Sequence, residues 1–191
     1  MAQLKAKAVH TLKVKDESIP IRITNAIAVF SWKSAADLDL MASILKKDGT
    51  FTLVFSDKYP GGNMGSLGSF PFVMLDKDAG LGGVGGDNQE VIQISQIDPT
   101  VQSIELIVVN YQDAVANKPV NFGTYDGVLT LGTDAEGVNF QMAIDSNQPG
   151  FVCHVATIDN SGQVPRLVKR GDILTIDETI VKIPGFKVVT D

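Results

Sequence analysis

The sequence has one cysteine, Cys153, so no disulfide can form within the chain. That fits a reducing compartment. It has no long apolar run. The opening residues, MAQLKAKAVHTLKVKD, lack the continuous hydrophobic stretch of a secretory signal. Nothing later approaches the ~20 apolar residues that a membrane-spanning helix needs. These absences predict a cytoplasmic protein without membrane insertion. There is also no basic cluster interleaved with aromatics. At a net charge of −6, the chain should repel nucleic acid and anionic membrane at long range. Lys5, Lys7, Lys13 and Lys15 are dispersed among other residues and read as a solvated strand edge, where lysine discourages sheet-to-sheet pairing.

Strand signals are plentiful, and the hydrophobic period is mostly two. Apolar runs at 19–32, 38–45, 51–55, 91–94, 104–109, 128–131, 138–144 and 151–158 are rich in Val, Ile, Leu or Phe and bounded by turn residues. KKDGT (46–50), TDAEG (133–137) and DNSGQ (159–163) read as hairpin turns. DPTVQS (98–103) and QDAVANK (112–118) are candidates for short helices, because Asp is a good N-cap. The tail after Val164 changes character and reads as a last hairpin over TIDETIVKIPGFKVV. Many short strands at regular spacing predict an all-β fold: a single domain over 1–191, a two-sheet β-sandwich with long acidic, glycine-rich loops at one end.

The chemistry concentrates in LDKDAGLGGVGGDNQEVI (75–92), which carries Asp76, Asp78, Asp87, Asn88 and Glu90 around five glycines. Carboxylates this close repel one another unless a proton or a cation intervenes. Hard oxygen donors on pliable backbone suit Ca²⁺, which takes six to eight of them. Asp37 and Asp39 in AADLDLMAS would point to one face of a strand, with Leu38 and Leu40 on the other, and so invite a shared cation. Asp57 in FSDKYP is positioned to join them. The plainer alternative stays open: Asp and Gly dominate ordinary solvated turns.

The succession FSW…DLDLMAS, VFSD, DKDAG…GGDNQEVIQI, IELIVVNY and NFG, over roughly residues 20–160, resembles the TerD family of tellurium-resistance and stress proteins. The resemblance implies a Ca²⁺-binding β-sandwich and carries ligand roles to Asp37, Asp39, Asp76, Asp87 and Glu90, with Asp78 and Asn88 following. Departures are also visible. Asp76-Lys77-Asp78 and Asn88 replace more acidic or differently ordered family positions. Residues 61–73 and the extension over 164–191 match nothing in the pattern.

Other motifs fall away. An EF-hand over 76–87 fails at Leu81 and Asp87, and no helices flank it. Gly80, Gly82 and Gly85 fit a dinucleotide loop by letters, but an acidic, strand-like segment follows. Cys153 and His154 are neighbours on a predicted strand and face opposite ways, so they are no nucleophile–base pair. His154 and His10 lack a second ligand at metal spacing. Arg170-Gly171-Asp172 is a chance RGD. The reading is a non-enzymatic, Ca²⁺-binding module that acts through protein partners in tellurite resistance or stress. The alternative is a structural or assembly protein, of a phage or other particle, in which copies of the chain associate.

Overall fold

The computed structural model describes residues 2–77 and 88–190. In chain order the strands are β1 (Ala8–Thr11), β2 (Ser18–Pro20), β3 (Ala26–Trp32), β4 (Leu38–Lys46), β5 (Phe51–Val54), β6 (Val73–Lys77) and β7 (Asn88–Ile94). Then come β8 (Val101–Asn110), the helix α1 (Tyr111–Val115), β9 (Val120–Asn121), β10 (Gly127–Gly132), β11 (Val138–Ile144) and β12 (Pro149–Gly150). The chain closes with β13 (Val152–Asp159), β14 (Arg166–Leu174) and the helix α2 (Ile176–Lys182).

Two six-stranded sheets face each other, as the period-two pattern predicts. The first runs β1-β11-β10-β3-β7-β6 and the second β2-β14-β13-β8-β4-β5. All ladders are antiparallel except β1 with β11. The three predicted hairpin turns join β4 to β5, β10 to β11 and β13 to β14.

The inner faces meet in one core. Ala28, Phe30 and Trp32 of β3 pack against Leu38, Leu40 and Ile44 of β4 and Leu106 and Val108 of β8. Phe30 and Trp32 stack with ring centroids 5.2 Å apart, and the Trp32 indole donates to the Ala36 carbonyl at 3.0 Å.

The second sheet is buried on its outer face as well. Met41, Ile107, Val109, Val152 and Leu174 point away from the first core into a second cluster closed by Ile183 and Phe186. That accounts for the apolar run 106–109 in β8, whose residues are buried on both faces of the sheet. The covering layer corrects the expected terminal hairpin: 176–182 is helical. Thr175 caps α2 by accepting from the Glu178 N–H while the Glu178 side chain accepts from the Thr175 N–H, a reciprocal pair that fixes the helix start. DPTVQS is no helix either. The Asp98 carboxylate accepts from the Thr100 N–H and hydroxyl, forming a tight turn, and β8 begins at Val101. QDAVANK does contribute to α1, which starts at Tyr111 with Asn110 as its cap.

Candidate functional site

Five of the predicted ligand positions sit near one end of the sandwich, where β4 begins, β7 begins and β5 has run out. They do not share a face. Leu38 and Leu40 belong to the inner core, so Asp37 and Asp39 project from the outer side of the second sheet, as alternation predicted. Asp39 is only 3% exposed. Both its oxygens accept from the Tyr59 hydroxyl at 3.1 Å. The Tyr59 ring packs on Tyr111 with centroids 4.5 Å apart. Asp37 lies 3.5 Å from the Gln112 amide nitrogen.

Glu90 and Asn88 alternate with the outward Gln89 and Val91, placing them on the inner side of β7 with Ile92 and Ile94. Glu90 is 2% exposed, and its Oε2 accepts from the Leu40 N–H at 2.6 Å. Among the described residues no β5 strand lies beside that N–H, because the β4–β5 ladder ends at Val54 opposite Ala42. Glu90 therefore ties the two sheets together at this corner. Asn88 donates to the Ser34 carbonyl at 2.7 Å.

Asp57 is exposed in the turn after β5. Asp76 goes elsewhere. Leu75 faces the core, so Asp76 faces out from the first sheet, where its Oδ2 accepts from the Ala2 N–H at 2.9 Å. Asp78 and Asp87 lie outside the described residues. Among the described residues, no group of three or more His, Cys, Asp or Glu side chains is close enough to hold a metal ion. The donors at the corner, Asp37, Asp39, Asn88 and Glu90, are hard oxygens without sulfur or imidazole, which is the chemistry Ca²⁺ prefers. They are fewer than its full shell requires.

Several participants were not singled out from the sequence. Asn110, 1% exposed, donates to Asp113 at 2.8 Å and to the Tyr125 hydroxyl at 3.0 Å while capping α1. Burial first, then the nearby Asp113 carboxylate, holds the Tyr125 phenol above its ordinary value. Tyr59 follows Asp57 by two residues, and that proximity was the available signal.

A second polar group lies on the outer face of the second sheet, away from this corner. The register of β13 slips at Val155 against both neighbours, so Val155 and Ala156 both turn inward. The bulge brings His154 and Thr157, three residues apart, onto one face. Glu105 Oε2 sits 2.9 Å from His154 Nε2 and accepts from the Thr157 hydroxyl at 2.5 Å. Arg170 donates to that hydroxyl at 2.9 Å and to Asp16 at 2.8 Å. Burial pushes the Glu105 carboxyl up, but the hydrogen bonds from His154 and Thr157 outweigh it and hold the group below the usual glutamate value. Cys153, on the opposite face, is fully buried, and that burial drives its thiol far above the ordinary range.

A cleft of about 510 Å³ opens on the outer face of the first sheet, lined by Ser31, Lys33, Gln89, Asp126, Val128 and Asp145 among others. It does not include Asp39 or Glu90. No helix among the described residues is long and apolar enough to cross a membrane. No protein-family model matches this chain, and no curated protein matches it either.

Proposed function

We propose that this chain is a non-catalytic Ca²⁺-binding β-sandwich that acts through a protein partner. One observation carries the reading: two almost fully buried carboxylates act at adjacent residues of β4, Asp39 as a member of the strand and Glu90 by accepting from the Leu40 N–H, at the corner shared with Asp37 and Asn88. Burying carboxylates is costly unless hydrogen bonds or a cation compensate. Tyr59 and the Leu40 N–H contribute to that compensation. A divalent ion would add to it, and gathering Asp37, Asp39, Asn88 and Glu90 on one ion would require these side chains to close in from the different faces they occupy here. When bound, it would neutralise the corner and stiffen the joint between the sheets. The buried Cys153, its thiol raised by burial, is not placed to act as a nucleophile. The tellurite and stress-response setting follows from the TerD resemblance alone.

Calcium titration by calorimetry and thermal melting tests this. At a hundredfold excess over Kd, mass action adds about 2.7 kcal/mol. For a chain of this length that is a rise of roughly 5–10 °C in Tm. Asp39→Asn and Glu90→Gln should each abolish most of that rise, while Asp48→Asn, in an exposed hairpin turn, should leave it intact. No heat and no rise in the parent protein at millimolar Ca²⁺ defeats the reading.

A further inference from the structure

The first twenty residues clip the two sheets together. β1 adds an outer strand to the first sheet and β2 adds one to the second. Ahead of β1, residues 2–7 lie across the outer face of the first sheet. Ala2 donates to Asp76, the Asn139 amide donates to the Lys5 carbonyl at 3.0 Å, and Lys5 pairs with Asp134 at 2.5 Å. Lys7 donates to the Thr133 and Glu136 carbonyls at 2.7 and 2.6 Å. This arm adds little to the core. All four side chains of β1 are exposed, and Leu12, which is fully buried, is the peg at its end.

The seal beneath the arm is incomplete. Leu4, Lys5 and Lys7 close a small space of about 30 Å³ over Asn139, enough for one water. The Asn139 Oδ1 is buried there with no hydrogen-bond partner among the described residues.

The turn joining the arm to β2 is short and strained. Residues 13–17 close on a Glu17 N–H to Val14 carbonyl bond of 3.0 Å, and Asp16 is held at φ 62°, in the left-handed region. The turn docks on Lys169 of β14 through the Asp16 N–H to its carbonyl at 2.8 Å, its N–H to the Glu17 carbonyl at 2.9 Å and its ammonium to the Lys13 carbonyl at 3.1 Å, contacts that opening would give up; the ion pairs Lys15–Asp172 and Arg170–Asp16 each have an exposed partner and add little.

We infer that residues 2–12 are an exchangeable arm, which can leave its own β11 and lie in the same place on a second copy of this chain. The occupant of the groove is known, because the arm fills it within the chain. An exchanged arm makes identical contacts, so only the turn at 13–17 distinguishes the two states. A short turn holding a non-glycine residue at positive φ favours opening. The partner is therefore another copy, and β11 with the outer face of the first sheet is the interface.

The test uses Thr11 and Gln141, register partners on β1 and β11. Cys153 is buried and should not compete for oxidation. Thr11→Cys and Gln141→Cys proteins are mixed at high concentration, incubated, and oxidised gently. Exchange should give a disulfide-linked heterodimer on a non-reducing gel. A control mixture of Thr11→Cys with Gln93→Cys, which lies on β7 and pairs with β3 and β6 rather than β1, should give none. Asp16→Gly relieves the closed turn and should lower the exchanged fraction several-fold, whereas Asp16→Pro cannot adopt φ 62° and should raise it. The inference is overturned if the mixture stays monomeric while a Thr11→Cys/Gln141→Cys double variant links within one chain. It is equally overturned if the control pair links as well as the matched pair. Neither outcome touches the Ca²⁺ reading, which is measured by titration.

Discussion

Glu105 offers the sharpest quantitative test of the packing argument. Its side chain and that of His154 are each 12% exposed, and its Oε2 is shared between His154 and Thr157. A hydrogen bond to a charged group contributes about 1.5–3 kcal/mol. Glu105→Gln keeps a carbonyl oxygen but loses the charge, so we expect it to cost about 2 kcal/mol, roughly 4–8 °C in Tm. Glu105→Ala strands His154, Thr157 and Arg170 around a void and should cost about 3–5 kcal/mol. The pH dependence separates charge from packing. The folded carboxyl titrates below its ordinary value of 4.5, so as pH falls the unfolded chain takes up its proton first. The stabilisation is therefore complete above about pH 4.5 and is lost as pH falls through the lower, folded value. Thermal melts of parent and Glu105→Gln between pH 3 and 7 should converge at the acid end. A gap of constant size across that range, or no gap at pH 7, refutes the reasoning.

Three further expectations follow from burial and backbone geometry. Leu12→Ala empties a fully buried site between the sheets and should cost about 2–5 kcal/mol, read as a lowered denaturation midpoint. Gly65 sits at φ 80°, where an added Cβ would lie 2.0 Å from the Val73 carbonyl oxygen; Gly65→Ala should therefore destabilise by more than the ~1 kcal/mol of an ordinary glycine replacement, and an unchanged Tm counts against the turn as described. Cys153 should stay unreactive to a thiol reagent in native buffer at pH 8 and label rapidly in denaturant; rapid native labelling would contradict its burial.

Much of the sandwich was legible because alternation and turn chemistry are local. KKDGT, TDAEG and DNSGQ carry their own geometry, and the shared face of Asp37 and Asp39 follows from a period of two. The terminal helix is legible too: Thr175-Ile-Asp-Glu178 spells a capping box, against which the valines and isoleucines after it favour strand. What local pattern could not give was the side of each sheet that meets the core. Asp76 and Glu90 are both acids on neighbouring strands, yet one faces out and the other in, and the ladder between β6 and β7 is shifted between Leu75 and Lys77. The bulge at Val155 is equally silent in sequence, and it alone aligns His154 with Thr157.

The clip formed by β1 and β2 also sets a timetable for the newborn chain. Ala8 pairs with Val138 and Ser18 with Val168, so these residues must wait for partners that lie far later in the chain. Contacts so distant in sequence form slowly. Until β11 and β14 emerge this segment waits without its partners, and the sandwich cannot be closed along that side before β14 has been translated.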